Sequence, residues 1–370
     1  MANKHLPHDL AQMQSLPLEA KIIMTKQRIR QWYEYWDGQV YVSFSGGKDS
    51  TVLKHIVDSM YDDVPALFVN TGLEYPEIQQ FVKEVKAGKY DCFNSDVEIV
   101  RPKMRFDEVI KKHGYPIISK DVSSSVSGAR NSIKKGVYSH RLCKLGVKKD
   151  EYGGLLDNGK HPYEKTLEKS RFSQKKWRFL IDADFNISHH CCDVMKKKPA
   201  KQYEKQTGRK PFIGTLASES ELRRTAWLRN GCNAFEAARP SSQPLSFWTE
   251  QDVLHYIKEY YVPYCPVYGY IAYEVMPEQV RLDDILGIHW IEGDMDRLMT
   301  TGCDRTGCIF CMFGCHLEKE PNRFQRLKET HPRQYEYCIS GGEMVDGKWQ
   351  PSKEGLGLGH VLDFIGVKYD

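Results

Sequence analysis

A chain of 370 residues is long enough to bury a sizeable core, and its 53 Lys and Arg against 49 Asp and Glu leave a formal net charge of +4. That excess is too small to imply a nucleic-acid partner by itself, and no apolar run is long enough for a membrane-spanning helix. Eleven cysteines in a chain whose start, MANKHLPHDL, has no signal-peptide core argue against a disulfide framework and for metal or redox chemistry in a cytoplasmic protein.

In chain order, Leu18, Ile22, Ile23, Ile29, Trp32, Tyr33 and Trp36 form a helical stripe ended by Asp37-Gly38. Val40, Val42 and Phe44 then alternate with Tyr41 and Ser43, which reads as a short strand breaking into Ser45-Gly46-Gly47. Val52, Leu53, Ile56, Val57 and Met60 follow at helical spacing, so the glycine pair lies at a helix N-terminus. There the unpaired N–H groups and the helix dipole favour a phosphate. Lys48 adds a point charge, Ser45, Ser50 and Thr51 add hydroxyls, and Asp49 is expected to hold Lys48 or a Mg2+ ion. The contiguous Gly-Gly-Lys is not the spacing of a Walker A loop. The hexapeptide Ser45 to Ser50 resembles instead the PP-loop of the adenine-nucleotide α-hydrolase superfamily, which implies chemistry at the α-phosphate of an adenine nucleotide.

Two further strands are expected at Ala66 to Asn70 and Val97 to Arg101, with a helix from about Pro76 to Lys86 between them. Strands alternating with helices imply βαβ units, an α/β fold with a Rossmann-like parallel sheet and helices on both faces. Ligands bind outside the carboxyl ends of such strands, where Asn70, Thr71, Gly72 and Glu74 fall. Thr71 and Gly72 are therefore candidates for nucleotide contact, although a plain turn explains Gly72 equally well.

Asp121 to Asn131 is rich in small polar residues and reads as a mobile loop. Trp177 to Ile181 and Pro211 to Ala217 read as strands, the second leading into a helix that opens with Glu219 to Arg224. Arg223 and Arg224 stand on its first turn, suited to phosphate or sulfate, with a surface pairing to Glu219 and Glu221 as the competing reading. Thr249 is a good N-cap for a helix that Pro263 and Pro266 end, and the stretch from Val267 to Thr301 reads as a connecting segment with one or two short helices. Helical periodicity resumes beyond Pro321, and LGLGHVLDFIGV reads as a last small helix. The expected division is an N-terminal helical segment at 1–38, a nucleotide-binding domain at 39–265 and a small cysteine-rich helical region at 266–370. Residues 130–149 carry seven Lys or Arg and no acid, and residues 196–210 seven more against Glu204 alone. Each run is either solvated surface or a face for phosphate or nucleic acid.

Cys191-Cys192 and Cys308-x-x-Cys311 can close a four-thiolate site around zinc or a cubane iron–sulfur cluster. Cys303 and Cys315 leave a rival local set with Cys308 and Cys311. From the loop at Ser45, the order runs through His190-Cys191-Cys192 and Lys196 to Pro199, then Gly214, Glu219-Ser220, Arg223 and Arg224. Trp248 with Asp252 and then Thr306 to Cys311 complete it. Over roughly residues 39 to 315 this order resembles the sulfonucleotide reductases, the phosphoadenosine-phosphosulfate (PAPS) reductase family. The resemblance implies a nucleotide site on residues 45–51 with Thr71, Gly72 and Gly214, catalytic roles for Lys48, Asp49, Arg223 and Arg224, and a [4Fe–4S] cluster on Cys191, Cys192, Cys308 and Cys311. It also implies PAPS, its unphosphorylated analogue APS, or ATP as nucleotide, and a thiol reductant such as thioredoxin. The family's Glu-Cys-Gly-Leu/Ile-His tail is missing, and Gly314-Cys315-His316-Leu317 is a partial echo of it. The expected activity is of the sulfonucleotide reductase type; an ATP-dependent sulfur transferase acting on nucleic acid is the alternative, and a non-catalytic nucleotide-binding module a third.

Overall fold

The computed structural model describes residues 4–156, 172–273 and 297–370. The chain packs into two compact units, each drawn from separated stretches. The first comprises Met1–Asn70, Glu74–Arg101 and Pro199–Gly307; the second comprises Thr71–Leu73, Pro102–Lys198 and Cys308–Asp370.

The first seven strands are β1 (Val40–Ser43), β2 (Ala66–Val69), β3 (Val97–Val100), β4 (Ile117–Ile118), β5 (Lys210–Ile213), β6 (Asn233–Ala234) and β7 (Ser241–Ser242). All but β4 form the sheet of the first unit, in the order β3-β2-β1-β5-β7-β6. Its neighbours are parallel except for β6 against β7. Val42 at the sheet centre registers with Ala66 on one side and Phe212 on the other. Val40, Val42 and Phe44 are fully buried, as a strand covered on both faces requires. The expected α/β fold with a parallel-dominated sheet is therefore observed.

The first helices are α1 (Pro7–Gln14), α2 (Leu18–Tyr35), α3 (Lys48–Asp58) and α4 (Pro76–Lys86). The stripe read over Leu18 to Trp36 buries Ile22, Ile29 and Trp32 of α2 in the sheet's core. Each such side chain contributes roughly 1.5–3 kcal/mol. Lys21 of the same helix is also buried, its ammonium 2.7 Å from both oxygens of Asp252. Asp252 in turn accepts the backbone N–H and hydroxyl of Thr249, closing the capping box of the helix Glu250–Glu259. Trp248 donates to Thr25 at 2.9 Å, so α2 is tied to this helix start by two polar bridges as well as by packing.

In the second unit β4 pairs in parallel with Met312–Phe313. Two sequence expectations fail here. Asp121 to Asn131, read as a loop, lies in a helix, Lys120–Lys134, capped by Ser119 and burying Val122, Val126 and Ala129. Its small residues serve close packing: a Cβ at Gly128 would lie 2.0 Å from the Arg141 guanidinium. Trp177 to Ile181, read as a strand, lies in a 3-10 helix, Lys175–Asp182. Arg130 explains this, since its guanidinium donates to the carbonyls of Leu180, Ile181, Ala183 and Phe185 and claims groups that a strand would pair. The expected connecting segment 267–301 lies partly outside the described residues, and its described ends, Ile271–Tyr273 and Leu298–Thr300, pair antiparallel.

Lys54 and Asp58 of α3 form a 2.7 Å ion pair that is almost wholly buried. Burial pushes the Asp58 carboxyl up to about 6, opposed by Lys54, so the aspartate is charged at neutral pH and depends on its lysine. Lys54→Met is expected to destabilise the protein by about 3–5 kcal/mol at pH 7, because it strands a buried charge, whereas Lys54→Met with Asp58→Leu recovers much of the loss. Urea denaturation of the three proteins measures both values.

Candidate functional site

The loop after β1 is shaped by two glycines with different duties. Gly46 has φ +72°, and a Cβ there would lie 2.9 Å from Ile78 of α4. Gly47 is the N-cap of α3, and a Cβ on it would meet the Thr306 hydroxyl at 3.0 Å and that of Tyr268 at 3.3 Å. The hydroxyls of Ser45 and Ser50 share a 2.9 Å hydrogen bond, and Ser50 and Thr51 both donate to the Gly47 carbonyl. These bonds set the loop's backbone around the start of the helix, where an anion is favoured. Gly214, at the carboxyl end of β5, lies beneath this turn, where a Cβ would be 2.9 Å from the Asp49 carbonyl oxygen and Ser50 Cα. Its part is close backbone approach.

Lys48 is held at both ends. Its backbone N–H donates to the Tyr268 hydroxyl at 3.0 Å, which is 2.6 Å from that of Thr306. Its ammonium donates to the Asp304 carbonyl and pairs with Glu250, each at 2.9 Å. Asp49 is half-buried, and loss of solvent around it pushes its carboxyl up against the opposing pull of Lys48. Its Oδ1 is buried without a hydrogen-bond partner among the described residues. Arg223 is ion-paired with Glu219, and Arg305 pairs with the other oxygen of the same carboxylate. Arg224 instead reaches Glu221 at 3.6 Å on the exposed side of the helix Glu221–Asn230. Lys48, Asp49, Arg223 and Gly214 thus share one neighbourhood, while Arg224 is engaged elsewhere.

Sequence reasoning did not single out Arg305, Glu250 and Tyr268 for this neighbourhood. The only available signal was the position of Arg305 between Cys303 and Cys308, which drew attention to the thiols instead. Thr71 and Gly72 form a turn after β2: the Thr71 hydroxyl accepts from Leu73 N–H at 3.1 Å, and Gly72 has φ +75°.

The thiols read as one ligand set lie in the second unit. Cys191 donates to Cys192 across 3.9 Å, a contact that raises the first thiol and, with Lys120, Lys196 and Lys197 nearby, lowers the second. Cys311 and Cys308 add further negative potential at Cys191. The Cys311 thiol is raised by burial, with Arg323 pulling the other way. Cys303 belongs to the first unit, and Cys315 is buried with its thiol donating to the Met312 carbonyl at 3.1 Å. Four thiols with cations around them suit a thiolate-ligated group, although no three His, Cys, Asp or Glu among the described residues stand as a ready ion site. Several charges in the basic runs are committed within the fold, as with Arg130 above, Lys144 on Asp121, Lys197 on Asp193 and Arg209 on the Val40 carbonyl.

Residues 39–141 and 155–312 match the model of the phosphoadenosine phosphosulfate reductase domain. The chain belongs to that family. An uncharacterized protein of Methanocaldococcus jannaschii is 36% identical over 91 residues, 24% of this chain and 21% of that protein. The chain thus matches about a fifth of that relative's length. Phosphoadenylyl-sulfate reductase from Candida auris, solved as a phosphate complex, aligns over 72% of this chain and 92% of its own, at 15% identity and a TM-score of 0.36. In this member of the PAPS reductase domain family, no helix among the described residues is long and apolar enough to cross a membrane.

The geometry separates the two neighbouring arginines. Arg223→Ala is expected to weaken adenine-nucleotide binding by about 1.5–3 kcal/mol, the worth of one charge-assisted hydrogen bond. Arg224→Ala is expected to change it by less than about 0.5 kcal/mol. Calorimetric titration of both variants with ATP and with adenosine 5′-phosphosulfate measures the difference.

Proposed function

We propose that this protein binds an adenine nucleotide at the Ser45–Thr51 loop, carries an iron–sulfur cluster on Cys191, Cys192, Cys308 and Cys311, and acts in sulfur chemistry as a sulfonucleotide reductase-type enzyme. The observation that carries this reading is the pairing, in one chain, of a glycine-shaped helix N-terminus bearing Lys48 with four thiols gathered into one compact unit, two of them, Cys191 and Cys192, 3.9 Å apart. Lys48, Arg223 and the backbone at the start of α3 bind and orient the phosphate and sulfate groups and offset their charge. The Oδ1 of Asp49, without a hydrogen-bond partner among the described residues, fits a Mg2+ ion accompanying those groups. A cluster on the four cysteines supplies electrons or sulfur when bound.

In the reductase reaction a thiolate attacks the sulfate sulfur, the bond from sulfur to the bridging oxygen breaks, and the nucleotide leaves with that oxygen. A second thiolate, such as that of thioredoxin, then attacks the S-sulfonated sulfur of the first, the sulfur–sulfur bond to the sulfonate breaks, sulfite leaves, and the two thiols are left joined as a disulfide. One observation favours the alternative, ATP-dependent sulfur transfer. The two cysteines that follow Cys311, Cys315 and Cys338, are 1% and 0% exposed, so neither is placed as the attacking thiolate. In that reaction a target oxygen attacks the α-phosphorus and pyrophosphate leaves, after which a sulfur nucleophile displaces the adenylylated oxygen, which departs with AMP.

Protein made and kept without oxygen is expected to be brown and to contain iron, since thiolate-bound iron absorbs visible light and zinc does not. Cys192→Ser or Cys308→Ser should remove colour and iron together, whereas Cys303→Ser and Cys315→Ser should retain both. A colourless protein with stoichiometric zinc would overturn the cluster. Sulfite released from a sulfonucleotide selects the reductase, and pyrophosphate released from ATP selects the transferase.

A further inference from the structure

Arg305 lies between two residues that are wired to Lys48. On one side the Asp304 carbonyl accepts from the Lys48 ammonium at 2.9 Å. On the other, the Thr306 hydroxyl bonds that of Tyr268, which accepts the Lys48 backbone N–H. The Arg305 backbone is thereby pinned beside the nucleotide loop, while its side chain remains 63% exposed. The guanidinium does not point freely into solvent. It holds one oxygen of Glu219, a carboxylate only 17% exposed whose other oxygen takes Arg223 and the backbone N–H of Leu216. Both arginines also lie close enough to Asp49 to favour its charged form.

The neighbourhood therefore holds three cations, Lys48, Arg223 and Arg305, and three carboxylates, Asp49, Glu219 and Glu250. Glu250 occupies Lys48 as Glu219 occupies the arginines. A planar carboxylate bridging two guanidinium forks presents oxygens much as a phosphate or sulfate does. An incoming polyanion meets cations that are already paired, so the gain from each charge-assisted bond it makes to them is partly offset by the bond lost to a glutamate.

We propose that Arg305 is a third anion-binding residue of the nucleotide site, and that Glu219 is its internal substitute ligand. Binding exchanges the Glu219 carboxylate on Arg223 and Arg305 for a phosphate or sulfate oxygen of the nucleotide. This rests on the nucleotide-binding reading above. The glutamate sets affinity by competition, disfavouring weakly charged ligands that cannot repay the displaced ion pairs.

The test is equilibrium binding of ATP, adenosine 5′-phosphosulfate and adenosine to the full-length protein and to Arg305→Ala, Arg305→Lys and Glu219→Gln. Arg305→Ala should weaken the two anionic ligands about tenfold or more, and Arg305→Lys should restore part of that loss, while adenosine binding is unchanged. Glu219→Gln keeps an acceptor for the Leu216 N–H but removes the competing charge, and it should tighten ATP and adenosine 5′-phosphosulfate several-fold. Far-UV circular dichroism and thermal unfolding check that each variant keeps its fold. Wild-type protein that binds neither anionic nucleotide would overturn both the nucleotide reading and this inference. Normal wild-type binding with Arg305→Ala unaffected, or with Glu219→Gln weakened, would overturn this inference alone.

Discussion

Lys48 is fixed by residues that are far from it in sequence and close to one another. Its backbone nitrogen and its ammonium are both bonded to the stretch around Asp304 and Thr306, the former through Tyr268. This double attachment determines the rest of the proposed nucleotide site. A lysine beside a phosphate is effective only if its position is settled in advance, because otherwise the ligand bears the entropy of ordering a long side chain. Here the positioning groups are a buried tyrosine hydroxyl and a backbone carbonyl. They fix the lysine, and Glu250 at 2.9 Å offsets its charge.

The same economy appears in the helix that carries Glu250. Its first turn is held by Thr249 and Asp252, and Asp252 is held in turn by buried Lys21 of α2. A stripe that reads in the sequence as simple packing therefore includes a charged contact acting on the start of the helix that carries Glu250. Burying a lysine is costly unless its partner is well placed, and both Asp252 oxygens lie 2.7 Å from the ammonium.

What the sequence disclosed follows from how local each signal is. The loop was legible because strand, glycines, lysine and helix stand within thirteen residues and each signal supports the same turn. The βαβ order was legible for a similar reason, since alternating Val40, Val42 and Phe44 give way at once to a helical stripe. Arg305 and Tyr268 were not legible, because what places them is closure over more than two hundred residues. The helix over Lys120–Lys134 was hidden by its own packing, where serines and a glycine stand at positions that a larger apolar stripe would have marked. The 3-10 turn at Lys175–Asp182 was misread because its apolar residues suit a strand, and the sequence gives no sign that Arg130 takes its carbonyls.

The span between Lys48 and Asp304 also bears on how the protein is made. These partners are 256 residues apart, which at roughly 5–20 residues per second is about 10–50 s of ribosomal synthesis. For most of that interval β1 and the glycine turn have already been made, yet the Tyr268 hydroxyl and the Asp304 carbonyl that restrain Lys48 have not. The nascent chain thus displays its cationic loop long before the loop is rigid, and the site reaches its final form only once the second cysteine-rich stretch begins to leave the ribosome.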